Sequence, residues 1–157
     1  MQKSENVTPD RTPGGSSLDF PYNTLGAGGS MSKLEQKEAE QEIIRDVIRE
    51  FYQRAFADGI ISHFFFGKNH DDLVRMQSHF TLNMLGYHKN PYPGRSLRQV
   101  HASLPLSDVH FDRRRVILEN VLSESSLPLS VQLKWLSLEE RLRPQIVRGS
   151  SGPSCSG

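Results

Sequence analysis

The stretch NHDDLVRMQSHFTLNMLG, residues 69–86, opens on an asparagine suited to capping a helix and closes on a glycine suited to ending one. Between them Leu73, Met76, Phe80 and Met84 recur at the three- and four-residue spacing of one helical face, which predicts an amphipathic helix from His70 to about Leu85 with that stripe turned inward. Gln77 stands inside the stripe, four residues after Leu73 and three before Phe80. A polar amide there costs roughly 1–3 kcal/mol unless it finds a partner. Two readings stay open at this point. Gln77 bonds a backbone group at a helix crossing, or it lines a pocket with Tyr52, whose hydroxyl follows the apolar Phe51.

Working upstream, Ile44, Val47, Ile48, Phe51 and Ala55 repeat at helical spacing while Glu38, Arg45, Arg49 and Glu50 face away, so a first helix is expected from about Lys33 to Phe56, ending near Asp58-Gly59. The aromatic run His63-Phe64-Phe65-Phe66-Gly67 separates it from the second. Downstream, Asn90-Pro91-Tyr92-Pro93-Gly94 forces an irregular connection. A short helix from Arg95 to Ser103 stops before Pro105, since the residue preceding a proline avoids helical dihedrals. Ser107 caps a segment from Asp108 to about Ser123, and Pro128 opens a last helix to about Leu142, before Pro144. No segment alternates as a strand and no internal repeat appears, so the fold class is all-α.

The periodic segments fill residues 33–147, about 115 of the chain's 157, enough for one core of short helices. Residues 1–32 hold Pro9, Pro13, Pro21 and the run Gly26-Ala27-Gly28-Gly29-Ser30, and residues 148–157 are rich in glycine and serine; both are expected to be disordered tails. With 19 Lys and Arg against 18 Asp and Glu, a formal charge of +1, the chain has no general attraction to nucleic acid or to an anionic membrane. The single cysteine, Cys155, excludes an intrachain disulfide framework. No run approaches the roughly 20 apolar residues of a membrane span, and the opening residues lack the apolar stretch of a secretory signal, so a cytoplasmic location is expected.

Six histidines are the compositional hint of chemistry. His101 lies four residues after Leu97 and three before Leu104, on a face with apolar neighbours, where it is either a satisfied core residue or a ligand. His63, His70, His79, His88 and His110 show neither the HExxH pattern nor the close spacing of a zinc site. The glycine run lacks the strand, helix and lysine of a phosphate-binding loop, and neither GxSxG nor a base near Cys155 supports a nucleophilic hydrolase. Arg113-Arg114-Arg115 reads as a solvated basic face. Arg114 fits that reading least, falling on nearly the same helical face as Phe111, Leu118 and Leu122.

Taken in order, these features resemble the truncated haemoglobin family, short globins built as a two-over-two helical sandwich around haem. Four blocks carry the resemblance, which spans about Leu34 to Val147. They are Glu50-Phe51-Tyr52, Phe64-Phe65-Phe66-Gly67, Leu73-x-x-x-Gln77-x-x-Phe80 ending at Leu85-Gly86, and Pro91-Tyr92-x-Gly94-Arg95-x-Leu97-Arg98-Gln99-Val100-His101 running on to His110-Phe111. The resemblance implies haem b, with His101 as the iron ligand, Phe65 wedging the porphyrin, and Leu73, Phe80, Tyr92, Leu97 and Phe111 around it. Arg95 and Arg98 would be candidates to pair with its propionates. Tyr52 and Gln77 would face the bound gas, a combination similar to group I of the family, in which tyrosine and glutamine hydrogen-bond O2.

The function so implied is binding of O2, NO or CO at a histidine-ligated iron. NO dioxygenation, which oxidises NO to nitrate, would need an unidentified reductase to return the iron to the ferrous state. The alternative is a globin-like module that has lost haem and serves interaction or signalling. The atypical Arg114, the missing first Gly-Gly pair and the long tails support that alternative, while the departures at Gly86-Tyr87 and Thr81 bear on how ligands reach the distal side. Ala39-Glu40 stands where the family has a Gly-Gly break, so the first helix is expected to run on unbroken. Gly86-Tyr87 stands at the second glycine pair, and Thr81 where group I often has an aromatic. Arg114 stands where relatives are apolar or carry tryptophan, so it either turns outward or places a cation near the haem.

Overall fold

A computed structural model of the chain describes residues 30–148. The elements are α1 (Lys33–Ala57), a 3-10 turn (Ser62–Phe65), α2 (His70–Met84), α3 (Leu97–His101), α4 (Asp108–Glu124) and α5 (Leu129–Ile146). No strand occurs among the described residues, as the all-α reading expects, and α1 runs unbroken through Ala39-Glu40. The glycine run and Cys155 lie outside the described residues. The chain divides after Gln36 into two units. Of the first, the described part includes the opening turn of α1, where the Glu35 N–H donates to the Ser32 hydroxyl at 3.1 Å and the Ser32 N–H to the Glu35 carboxylate at 2.8 Å. All that follows concerns the second unit.

The core forms where Ile44, Val47, Ile48, Phe51 and Ala55 of α1 meet Leu82 and Leu85, then Ile117, Leu118, Val121 and Leu122 of α4 and Trp135 of α5. Burial of each large apolar side chain there is worth about 1.5–3 kcal/mol. The Asn69 side chain caps α2 by accepting from the Asp72 N–H at 2.9 Å. At the other end of α2, Gly86 takes a φ of 90°, open to glycine at little cost, and the Lys134 ammonium donates to the Leu85 carbonyl at 3.0 Å. Beyond it the Tyr87 hydroxyl donates to the Glu40 carboxylate at 2.5 Å, joining the start of α1 to the end of α2.

The orientation of α2 corrects the sequence reading. Ser78, Thr81 and Leu82 are its buried residues. The stripe divides: Leu73 and Met84 pack against the core, while Leu73, Met76, Gln77 and Phe80 line a cavity and Met76 is 43% exposed. Hydropathy located a face that needs covering, and among the described residues no segment fills the space against it. Helix α5 also differs, passing through Pro144 to Ile146. Proline forfeits one helical N–H donor. The Val147 N–H nevertheless donates to the Arg143 carbonyl at 2.8 Å, so the last turn closes around the ring. Helix α3 is shorter than expected, fixed at its start by a capping box in which Ser96 and Gln99 bond each other's backbone N–H.

The arginine triplet is not a solvated face. Arg113 meets Asp58 at 2.7 Å, Arg114 meets Glu139 at 2.6 Å, and Arg115 meets both Glu119 and Glu140 at 2.8 Å. With Arg143 on Asp108 and Asp112, these pairs tie α4 to the end of α1 and to α5. No helix among the described residues is long and apolar enough to cross a membrane.

Asp58 fastens the end of α1. Its Oδ1 accepts from the N–H groups of Ile60 and Ile61, at 2.9 and 3.1 Å, and its Oδ2 from Arg113 at 2.8 Å. The Arg113 guanidinium, with the two N–H groups and against the effect of burial, holds the carboxyl below the usual range. Its folded pKa therefore lies under the unfolded value of about 3.9. The contribution to stability is complete above that value and is lost as pH falls through the folded one. Asp58→Asn is expected to cost about 1–3 kcal/mol at pH 7 and to flatten the acid limb of the stability profile. Urea titrations of both proteins from neutral to acid pH measure this.

Candidate functional site

The uncovered face of α2 is one wall of a cavity of about 670 Å³, within the 300–1,000 Å³ or so of small-molecule and cofactor pockets. Helix α1 contributes Phe51 and Tyr52, the 3-10 turn Phe64 and Phe65, and α2 Leu73, Gln77 and Phe80. Tyr92 and Arg95 come from the irregular connection, Leu97 and His101 from α3, Phe111 and Arg114 from α4, and Glu139, Leu142 and Ile146 from α5.

His101 is half-buried, with Nδ1 2.8 Å from the Leu97 carbonyl oxygen. A carbonyl only accepts, so the proton sits on Nδ1 and Nε2 keeps its lone pair, the tautomer in which imidazole ligates a metal. Burial lowers its pKa below the ordinary value; the Leu97 bond opposes the shift and the Arg114 charge adds to it. The ring is neutral at pH 7.

Tyr52 is 7% exposed, with aromatic rings edge-on to it: Phe51 at 5.1 Å, Phe65 at 5.7 Å and Phe56 at 6.3 Å. Its side chain lines the cavity, and no described residue hydrogen-bonds its hydroxyl. Burial pushes the phenol up to about 12, against the pull of Arg114, so it remains a neutral O–H donor. Gln77 also lines the cavity, and its Nε2 donates to Thr81 Oγ1 at 3.1 Å. Its partner is thus the hydroxyl of its own helix rather than a backbone group at a crossing. That leaves one amide N–H and the carbonyl oxygen for the cavity.

The aromatic walls are braced from behind. Phe65 stacks on Phe56 at 5.1 Å with the planes 14° apart, and Phe80 meets Tyr92 edge-on at 5.4 Å. Glycine at 94 makes room for this, because a Cβ there would run into the Tyr92 ring. Of the residues singled out from sequence, Tyr52, Phe65, Leu73, Gln77, Phe80, Tyr92, Arg95, Leu97, His101 and Phe111 come together on this one cavity. Arg98 does not; it is exposed and outside the lining.

Arg114 turns inward. Its guanidinium lies 5.0 Å over the Phe51 ring and pairs with Glu139, a residue the sequence reading missed. Glu139 is buried and also accepts from Trp135 Nε1–H at 3.2 Å. A signal for it exists in the spacing: Trp135, Glu139, Leu142 and Ile146 recur at one helical face, with a carboxylate inside an otherwise apolar stripe. Among the described residues no group of three or more His, Cys, Asp or Glu is placed to hold a metal ion.

Residues 38–146 match the family of bacterial-like globins. The chain is 31% identical over 111 residues to the group 1 truncated haemoglobin of Mycolicibacterium paratuberculosis, a match covering 71% of this chain and 81% of that protein. Its structure is similar to the Fe(III) form of truncated haemoglobin from Tetrahymena pyriformis, with a TM-score of 0.61 and 25% identity over 66% of this chain and 88% of that one. In fold it is also similar to the 2/2 haemoglobin of a Synechococcus species, solved in the cyanomet state with covalently attached haem. There the TM-score is 0.64, at 23% identity over 80% of this chain and 96% of that one.

Proposed function

The chain belongs to the truncated haemoglobin family, and from that premise we propose that its cavity holds haem b, with His101 as the protein ligand of the iron and Tyr52 and Gln77 as donors to a diatomic ligand. The observation that carries this reading is the state of His101. Its Nδ1–H is committed to Leu97 and its ring is neutral, which leaves Nε2 free to ligate. A lone imidazole holds a metal firmly only when the other ligands arrive with it, as they do in a porphyrin. Bound haem supplies reversible binding of O2, NO or CO at ferrous iron.

The chain's own residues do the rest. Phe65, held flat against Phe56, would offer a fixed ring to a porphyrin, and Leu73, Phe80, Tyr92, Leu97 and Phe111 would supply apolar walls. Arg95, exposed at the cavity's lining, is suited to pair with a propionate, while Arg98 is less well placed. The Tyr52 hydroxyl needs to break no bond before donating, so its donation requires no reorganisation. Thr81 steadies Gln77. Two such donors favour a ligand that gains negative charge on binding, as O2 does, and slow its release. If the activity is NO dioxygenation, NO, O2 and one electron yield nitrate, and the electron must come from a separate reductase.

Titration of the full chain with haemin tests the assignment. One equivalent is expected to bind and give a Soret band, and the ferrous protein is expected to take up CO and O2. No binding would favour the haem-free module instead. Nitrate formed in equal amount to NO added to the oxygenated ferrous protein would identify the dioxygenase.

A further inference from the structure

The pair of half-buried Arg114 and buried Glu139 is charged and left idle by the reading above. Taking two charges out of water is seldom repaid by their mutual attraction, and apolar residues of the same volume commonly serve as well. A pair kept at such a place calls for a use. Its geometry is asymmetric. The Glu139 side chain is 4% exposed, and its two oxygens accept from Arg114 Nη1 at 2.6 Å, Arg114 Nη2 at 3.4 Å and Trp135 Nε1 at 3.2 Å. The Arg114 side chain is 23% exposed. Two of the five guanidinium N–H donors go to Glu139, and no other described residue accepts from the rest. The carboxylate is therefore the enclosed member of the pair, and the guanidinium is the member with donors to spare on the cavity that Tyr52, Gln77 and His101 also line.

Other ionisable groups on this cavity compete poorly. Asp72 and Arg75 pair with each other at 2.9 Å and are exposed, as are Lys68 and Arg95, so water screens them. Arg114 has Phe51 beneath it and keeps its charge at every physiological pH. In a site shielded from water, hydrogen bonds to an ionised partner are the strong ones.

We propose that Arg114 makes this cavity selective for small monovalent anions, of the azide or nitrite type, over neutral ligands, and that Glu139 is the residue that positions it. The anions are those that bind oxidised haem iron, so the proposal rests on the haem assignment. Glu139 fixes the guanidinium and offsets part of its charge. Removing that charge while keeping an acceptor is accordingly expected to strengthen anion binding, which mere damage to the fold would not do.

The test uses the full chain loaded with haemin and oxidised, titrated with azide as the anion and imidazole as the neutral ligand, both followed at the Soret band. Arg114→Gln is expected to weaken azide about tenfold, the worth of one charge-assisted hydrogen bond, with imidazole affinity little changed. Glu139→Gln is expected to tighten azide about threefold or more. Arg114→Lys, which keeps the charge, is expected to stay closer to the unmodified chain than Arg114→Gln does. If Arg114→Gln does not fold, as judged by its helical circular dichroism, Glu139→Gln decides the matter. A Soret band with an azide-to-imidazole ratio unmoved in Arg114→Gln, or azide binding not tightened in Glu139→Gln, overturns the anion proposal alone. Failure of the unmodified chain to bind haemin overturns the haem assignment and the anion proposal with it.

Discussion

Replacing His101 with glycine is expected to abolish ligation of the iron by the protein: loaded with haemin, the variant loses the unmodified chain's Soret band, and added imidazole restores it. The expectation follows from three features of this side chain. It lines the cavity, its Nδ1–H is spent on the Leu97 carbonyl, and its other nitrogen carries the lone pair. Rescue by free imidazole separates loss of a ligand from loss of the fold, because a collapsed cavity would not accept the added ring. A Soret band unchanged in the variant would remove His101 from this role.

Tyr52→Phe is expected to speed O2 dissociation by about 10²-fold, the lower end of what removing one preorganised donor costs where negative charge develops. The lower end applies because Gln77 remains. The substitution is clean in this setting. The ring keeps its edge contacts with Phe51, Phe56 and Phe65, and the lost hydroxyl has no described partner to orphan. Folding stability is thus expected to stay the same while the kinetics change. Rapid mixing of the oxygenated protein with a ligand trap measures the rate, and CO release, which depends less on hydrogen bonding, is expected to move far less. An O2 rate equal in both proteins would mean that Tyr52 does not touch the ligand.

Much of this fold was legible because helical spacing and caps are local. Asn69 and Gly86 set the ends of α2 through bonds within a few residues, which a sequence displays directly, whereas the sequence reading begins α3 at Arg95 and passes over the cap at Ser96. The stripe Leu73, Met76, Gln77, Phe80 was equally visible, but hydropathy reports that a face needs cover and not what covers it. Periodicity alone therefore left open whether Gln77 meets a helix crossing or a pocket, and the cavity decides it. Pro144 misled because a proline near a helix end removes a bond that the last turn can do without. The Arg114–Glu139 pair stayed hidden for a different reason: its members lie 25 positions apart on separate helices, and only the tertiary crossing brings them within 2.6 Å. Two misfits, a cation among Phe111 and Leu118 and a carboxylate between Trp135 and Leu142, were each readable alone. Pairing them requires the observation that two buried opposite charges must find each other.

The bond between Tyr87 and Glu40 has a further consequence. It joins residues 47 positions apart, so the chain leaving α2 is tied back to α1. A phenol held by a carboxylate is worth about 1.5–3 kcal/mol. That bond acts beside the Lys134 bond to the Leu85 carbonyl, so the end of α2, the helix that brings Phe80 to the cavity, is held from α1 and α5 at once.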